Sequence, residues 1–225
     1  MAAVAALIPA YNEEDVISDT VKAVASIPGI DEVIVIDDGS QDGTSSKAED
    51  AGARVVRLKR NRGKGAALNA GLAQTNAEII LMVDADLGSS AVHAAKLLSP
   101  MLVGDADMSI AVMQPPAGHR GGFGCVMKLS KWAVKKYGGS EVAAPLSGQR
   151  AIRRSVIQKL GGFADGFGVE TALTIGALRG GFRVVEIPLP LTHRYTGRDW
   201  RGFAHRLRQF WDILKVVWRN SRKKL

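Results

Sequence analysis

Within the first 90 residues, mostly apolar runs of strand length end one after another in polar clusters, and each cluster opens a helical pattern. Ala3 to Ile8 runs into Pro9-Ala10-Tyr11-Asn12-Glu13-Glu14. Glu32 to Ile36 runs into Asp37-Asp38-Gly39-Ser40-Gln41-Asp42-Gly43-Thr44. Arg54 to Leu58 leads to Asn61-Arg62-Gly63-Lys64-Gly65, and Ile79 to Val83 leads to Asp84-Ala85-Asp86. Apolar runs of this kind read as strands buried on both faces, and their alternation with helices builds a doubly wound, mostly parallel sheet flanked by helices. Such a sheet collects ligands in the crevice at the carboxyl ends of its strands, which is where these clusters fall.

Local signals set the remaining boundaries. Asn12 reads as the N-cap of a helix reaching Ser26, with acidic residues in its first turn and Pro28-Gly29 as its stop. Helices are expected over Ala66 to Gln74 and Ala91 to Leu102, then a strand from Met108 to Val112. Gln114 to Gly124, rich in Pro and Gly, reads as a long loop suited to a lid. Cys125 to Tyr137 reads as a helix, Leu146 to Arg150 as a strand or turn, and Ser155 as the cap of a short helix to Leu160. Val169 to Leu178 is a helix with Glu170 in its first turn. Phe182 to Ile187 is a late strand, and Pro188 and Pro190 place Leu189 to His193 at a sheet edge. Trp200 to Trp218 closes the chain as a C-terminal amphipathic helix. Its stripe is Phe203, Leu207, Phe210, Leu214 and Val217, surrounded by Arg and Lys. The expected division is an α/β domain over residues 1–197, in halves 1–113 and 114–197, and a basic helix over 198–225.

The chemistry concentrates at the fourth strand. Asp84 and Asp86 lie one residue apart, and two carboxylates there repel and lose hydration unless a cation neutralises them. Hard oxygen ligands suit Mg²⁺ or Mn²⁺, which in turn holds phosphate oxygens. The glycine-rich turn around Lys64 offers backbone N–H groups and one ammonium at a helix start, also suited to phosphate. It is neither a Walker loop nor Gly-x-Gly-x-x-Gly.

Charge narrows the partners. Of the net +8, the segment from Arg198 to Leu225 carries +7, from nine Lys/Arg and two Asp/Glu. The body of the chain is nearly neutral and carries no recognised nucleic-acid motif, so no nucleic-acid partner is expected. One cysteine, Cys125, excludes a disulfide framework. The first residues lack a signal-peptide pattern, and no apolar run is long enough to span a bilayer. The expected location is cytoplasmic, with the basic helix placing it at the inner face of a membrane as one alternative.

Together, the four clusters resemble those of the family 2 nucleotide-sugar glycosyltransferases of GT-A fold, in family order and at family spacing. In the second half, Gly148-Gln149-Arg150, Gly166-Phe167-Gly168-Val169-Glu170 and His193-Arg194 resemble the glucosyl-3-phosphoglycerate synthase type. The resemblance implies an enzyme that moves a sugar from a nucleotide-diphosphate sugar, UDP first and GDP second, with Mn²⁺ or Mg²⁺ as cofactor. It makes residues 1–113 the donor half and 114–197 the acceptor half. Pro9, Tyr11, Glu13, Asp37 or Asp38, Lys64, Asp84 and Ala85 would line the donor site, with Asp38 the contact to the base. Asp86, Asp84 and His193 would hold the metal, Asp86 and Glu170 would be catalytic, and Arg194 and Arg198 would meet the acceptor. Glu170 would be a general base if the reaction inverts, or would position the acceptor if it retains. Tyr195 stands where the phosphoglycerate synthases have an Asn-type acceptor contact, so the implied acceptor is phosphate-bearing without being phosphoglycerate.

Two other readings compete. A polyprenyl-phosphate acceptor would bring residues 200–224 to an anionic membrane surface; otherwise the same stripe packs on the domain or on a second subunit in a homodimer. A non-catalytic nucleotide- or nucleic-acid-binding module would rest on the basic tail alone. A nucleotidyltransferase is disfavoured because Pro-Ala-Tyr-Asn-Glu-Glu replaces the Gly-rich, Arg-bearing loop that class needs after strand one.

Overall fold

The computed structural model of the 225-residue chain describes residues 2–113, 124–164 and 168–191. The Gln114 to Phe123 loop, His193, Arg194, Tyr195, Arg198 and the C-terminal helix lie outside the described residues. The strands are β1 (Val4–Ala10), β2 (Glu32–Asp37), β3 (Arg54–Arg57), β4 (Ile79–Met82), β5 (Met108–Met113), β6 (Arg150–Arg153) and β7 (Val184–Leu189). They form one sheet in the order β3-β2-β1-β4-β6-β5-β7. Every pairing is parallel except those of β6, which runs antiparallel to both β4 and β5. The helices are α1 (Ile17–Ala25), α2 (Thr44–Asp50), α3 (Lys64–Leu72), α4 (Ala95–Leu102), α5 (Gly124–Gly138), α6 (Arg154–Leu160) and α7 (Val169–Arg179).

The central strands are apolar on both faces because both faces are covered. Val4, Ala6 and Ile8 of β1 pack with Ile17, Val21 and Val24 of α1 and with Leu97, Leu98 and Met101 of α4. Ala5 and Leu7 point the other way, into a layer with Leu68 of α3, Val134 of α5 and Leu173 of α7. Each fully buried Leu, Ile or Val contributes roughly 1.5–3 kcal/mol, so these two layers fix the sheet and leave the strand ends to polar residues. Because β2 lies on one side of β1 and β4 on the other, the crevice where chain direction switches opens at the carboxyl ends of β1 and β4.

The structure corrects some local expectations. Asn12 is no N-cap: its backbone has φ 56, and α1 starts at Ile17 after Val16. The N–H groups of Val16 and Ile17 are already taken by the Glu13 carbonyl in a preceding turn. Asn12 instead bridges to the β2 loop, its N–H donating to Ser40 Oγ at 2.9 Å and its Oδ1 accepting from the Gln41 N–H at 3.0 Å. Ser155 is no cap either; α6 begins at Arg154 straight from β6, with extended Arg153 in the cap position. The Ala91 to Leu102 helix is in two parts: a 3₁₀ segment, Ala85–Ala94, broken at Gly88, followed by α4. Of the Leu146 to Arg150 stretch only Arg150 is strand, as the first residue of β6.

Candidate active site

Lys64 is the meeting point of the crevice. Its Nζ lies 2.7 Å from Asp84 Oδ1, at the end of β4, and 2.7 Å from Glu170 Oε1, in the first turn of α7. Burial opposes the charge on Lys64, but the two carboxylates outweigh it and raise its pKa well above the ordinary lysine range. Glu170 is 5% exposed. Two carboxylates this close to one atom are tolerable only because the ammonium stands between them.

Each partner is held by its own element. The Asp38 carboxylate accepts the N–H of Arg62 at 2.8 Å and of Gly63 at 2.7 Å, tying the β2 loop to the turn that presents Lys64. Gly65 follows because nothing larger fits: a Cβ there would lie 1.9 Å from the Ala164 carbonyl oxygen. Asn69 of α3 and Phe163 exchange two hydrogen bonds, each 2.9 Å, which lock α3 to the segment leading into α7. So the Lys64 and Glu170 backbones are tied independently of their ion pair. On the β4 side, Gln149 Nε2 donates to Asp84 Oδ2 at 2.7 Å. Gly148 leaves room for this arrangement, since a Cβ would sit 2.4 Å and 2.6 Å from the Asp84 oxygens and 2.6 Å from Lys64 Nζ.

The Asp84-Ala85-Asp86 turn is pinned from the opposite layer. Thr20 of α1 donates its hydroxyl to the Ala85 carbonyl at 2.7 Å and accepts the Gly88 N–H at 2.8 Å. Ala85 is buried, and Asp84 and Asp86 are half-buried. Asp37 is fully buried; its carboxylate accepts the Ser40 N–H at 2.7 Å and the Ser45 hydroxyl, with Arg57 Nε 3.6 Å away. Glu13 donates its N–H to Thr44 Oγ1 at 2.8 Å, while Pro9, next to last in β1, is half-buried and Tyr11 just beyond the strand is exposed. The loops after β1 and β2 are thus sewn together, and Lys64, Asp84 and Glu170 converge. His193, Arg194 and Arg198 lie outside the described residues.

The donor set suits a hard divalent cation in kind, because Asp84 and Asp86 offer carboxylate oxygens at a strand end. Among the described residues no three His, Cys, Asp or Glu side chains converge as a metal-holding group. Sequence reasoning missed Thr20, and it quoted Gly148, Gln149 and Arg150 only as a string. The pairing of Asp84 with Gln149 spans 65 residues, and no local pattern announces it.

The crevice thus gathers carboxylates and one lysine at the switch point of a mostly parallel α/β sheet. The chain belongs to glycosyl transferase family 2, whose model matches residues 5–161. It is 33% identical over 208 residues to glycosyltransferase AglJ of Haloferax volcanii, covering 88% of this chain and 65% of that one. It is 32% identical over 199 residues to glucosyl-3-phosphoglycerate synthase of Mycolicibacterium smegmatis, covering 76% of this chain and 63% of that one. The match therefore spans less than two thirds of the length of either relative. Among solved structures, glucosyl-3-phosphoglycerate synthase from Mycobacterium tuberculosis in complex with Mn²⁺, UDP-glucose and phosphoglyceric acid superposes with a TM-score of 0.78 at 28% identity. That likeness covers 96% of this chain and 80% of that chain. The same enzyme with Mg²⁺ and UDP gives a TM-score of 0.79 at 28% identity.

Proposed function

We propose that the chain is a metal-dependent glycosyltransferase that moves a sugar from a UDP-sugar to a phosphate-bearing acceptor. The observation that carries this reading is Lys64 held between Asp84 and Glu170 at the β1/β4 crevice. Pro9, Tyr11, Glu13, Asp38 and Ala85 border the nucleoside, and Asp37 holds the loop that carries Asp38. Asp86, with Asp84 and His193, would hold Mn²⁺ or Mg²⁺, which would supply Lewis-acid stabilisation of charge on the departing diphosphate. Lys64, at the same strand end as Asp84, would add a second positive charge for those phosphates. In the transfer, the bond from the sugar's anomeric carbon to the diphosphate oxygen breaks, and a bond to an acceptor oxygen forms. Glu170 takes the acceptor proton if configuration inverts; if it is retained, Glu170 orients the acceptor and the departing diphosphate oxygen takes that proton. Arg194 and Arg198 meet the acceptor phosphate.

A lipid phosphate is the second reading of the acceptor, with residues 200–224 at a membrane surface. It draws support from α5, whose exposed face carries Lys128, Lys131, Trp132, Lys135 and Lys136, a basic and aromatic surface suited to anionic headgroups. Among the described residues no helix is long and apolar enough to cross a membrane.

A thermal-shift panel of UDP- and GDP-sugars, with and without Mn²⁺, tests the donor and the metal together, because a ligand bound to the native state raises the midpoint. A rise with UDP-sugar that requires Mn²⁺ is expected. No rise with any nucleotide sugar, together with no sugar transfer, removes the assignment. Co-sedimentation with anionic and neutral vesicles decides the lipid reading.

A further inference from the structure

Arg150 is the one fully buried arginine among the described residues, and the site chemistry above does not use it. It begins β6, opposite Met82 of β4 and Ile110 of β5, so it stands in the middle of the sheet. Among the described residues its guanidinium touches no carboxylate within ion-pair distance. Instead Nε donates to the Ser147 carbonyl at 2.8 Å, one terminal nitrogen to the Pro145 carbonyl at 2.9 Å, and the other to Thr174 Oγ1 at 2.8 Å. Burial pulls its pKa down to about 10, which keeps it charged at neutral pH. Taking a guanidinium out of water without a salt bridge is costly, and an apolar residue of similar volume would fill the same space. The arrangement calls for a reason beyond packing.

The reason lies in what the three acceptors carry. Pro145 and Ser147 belong to the segment that ends in Gly148 and Gln149, the residues that seat Asp84. The same segment is held from its other end by Glu186 of β7, whose carboxylate accepts the N–H groups of Ala143 and Ala144, each at 2.8 Å. The Ser147 hydroxyl donates to Gln149 Oε1 at 3.3 Å, which sets the amide so that its N–H₂ faces Asp84. Thr174, the third acceptor, in turn donates a hydrogen bond from its hydroxyl to the Glu170 carbonyl at 2.8 Å. One guanidinium therefore reaches Asp84 through Ser147 and Gln149, and reaches the first turn of α7 through Thr174.

We propose that Arg150 is a positioning residue for sugar transfer, which sets Asp84 and Glu170 at their mutual distance across Lys64 by holding the 145–149 segment against α7. This rests on the glycosyltransferase reading. The donor loops after β1 and β2 are fixed by contacts that do not involve Arg150, so its loss reaches the transfer geometry and leaves the nucleoside contacts in place. A misplacement of about 1 Å in such a geometry costs up to ~100-fold in rate.

The test uses the full chain and three variants, Arg150→Met, Arg150→Lys and Thr174→Val, assayed with the nucleotide sugar and acceptor that the parent turns over. Arg150→Met is expected to lower kcat about 30-fold or more, with KM for the donor within about twofold. Arg150→Lys keeps the charge but loses the planar fan of donors, and falls between. Thr174→Val cuts the link from Arg150 to α7 and keeps those to Pro145 and Ser147; kcat per folded molecule is expected to fall about five-fold, beside a lower thermal midpoint from the buried N–H left without an acceptor. Amide exchange, which needs no turnover, should rise in Ala143 to Gln149 and in the first turn of α7 in Arg150→Met, while the segment from Asn12 to Gln41 keeps its protection. Should Arg150→Met be too unstable to assay, Thr174→Val alone decides. Parental kcat in Thr174→Val, or kcat loss in any variant that only follows the folded fraction, overturns the proposal. Absence of transfer by the parent itself, with any nucleotide sugar, instead removes the glycosyltransferase reading.

Discussion

The two halves of the sheet place polar groups at strand ends by different means. In the first half, carboxylates are clamped by backbone N–H groups of their own loop or of a neighbouring one. Asp37 takes the Ser40 N–H, Asp38 takes those of Arg62 and Gly63, Asp42 takes the Thr44 N–H, and Glu14 takes the Gly43 N–H. Where the second half meets the first, side chains hang from one another: Gln149 on Asp84, Arg150 on Thr174, and Lys64 between Asp84 and Glu170. Backbone clamps belong to the fold and hold whether or not ligand is present. Side-chain chains are fewer, more readily exchanged, and leave groups such as Lys64 able to change partner. On the proposed function, the first half seats the donor and the junction between the halves sets the transfer geometry. Substitutions in the two halves should split accordingly between binding, stability and rate.

Asp86→Ala carries the largest expected effect, because it stands at the boundary of the halves and is the carboxylate assigned to the metal. Loss of a cation that stabilises departing charge costs ~100-fold or more, so Mn²⁺-dependent transfer should fall to the limit of detection in a steady-state assay. Residual activity equal to the parent would take the metal away from this turn and leave the first half a purely structural scaffold.

Glu170→Gln comes next and belongs to the second half. The amide oxygen still accepts from Lys64, so the fold and the donor site stay intact. A general base is worth about 100-fold or more, and a misplaced acceptor costs up to ~100-fold; in either role kcat should fall by that order, with donor affinity by titration nearly unchanged. A parallel loss of donor affinity would mean that Glu170 seats the donor, and the division between halves would fail there.

Gly148→Ala sharpens the same point with one methyl group. The added carbon would meet both Asp84 oxygens and Lys64 Nζ inside van der Waals contact, so the pair must shift by a few tenths of an ångström or more. About tenfold in kcat is expected from such a displacement, read against an unchanged thermal midpoint. A loss of stability with no loss of rate would show that the segment yields in place of the ion pair.

The same contrast explains what the sequence disclosed. The apolar runs that became β1, β2 and β4, and the clusters after them, were legible because a buried parallel strand needs a continuous run and its loop follows at once. Glu170 was legible as a helix-start carboxylate, and Lys64 as the charge in a glycine-rich turn. Their meeting was not, because it depends on the Asn69–Phe163 clamp across 94 residues. Asn12 misled for a related reason: its side chain looks like a cap, yet its partner is Gln41, 29 residues away. β6 escaped because Arg150-Ala151-Ile152-Arg153 lacks an apolar run; its flanks are covered by β4 and β5, and the arginine at its start is satisfied by carbonyls that only the folded chain brings near.

The smallest expected effect is a change in pH dependence, and it tests the ion pair that joins the halves. Asp84 and Glu170 hold the Lys64 pKa above its value in the unfolded chain, which is about 10.4. A base whose pKa rises on folding binds its proton more tightly in the native state, so its contribution to stability is complete below about 10.4 and is lost as pH climbs through the folded value. Lys64→Met removes that contribution at every pH and leaves the two carboxylates without their ammonium. The gap in unfolding free energy between parent and variant, from urea titrations in alkaline buffers, should therefore be steady up to about pH 10 and narrow above it. A gap that keeps its full size through the alkaline range would mean that the two halves are joined by the Asn69–Phe163 clamp and not by charge. In that case Lys64 could leave Asp84 for a diphosphate at little cost to the fold.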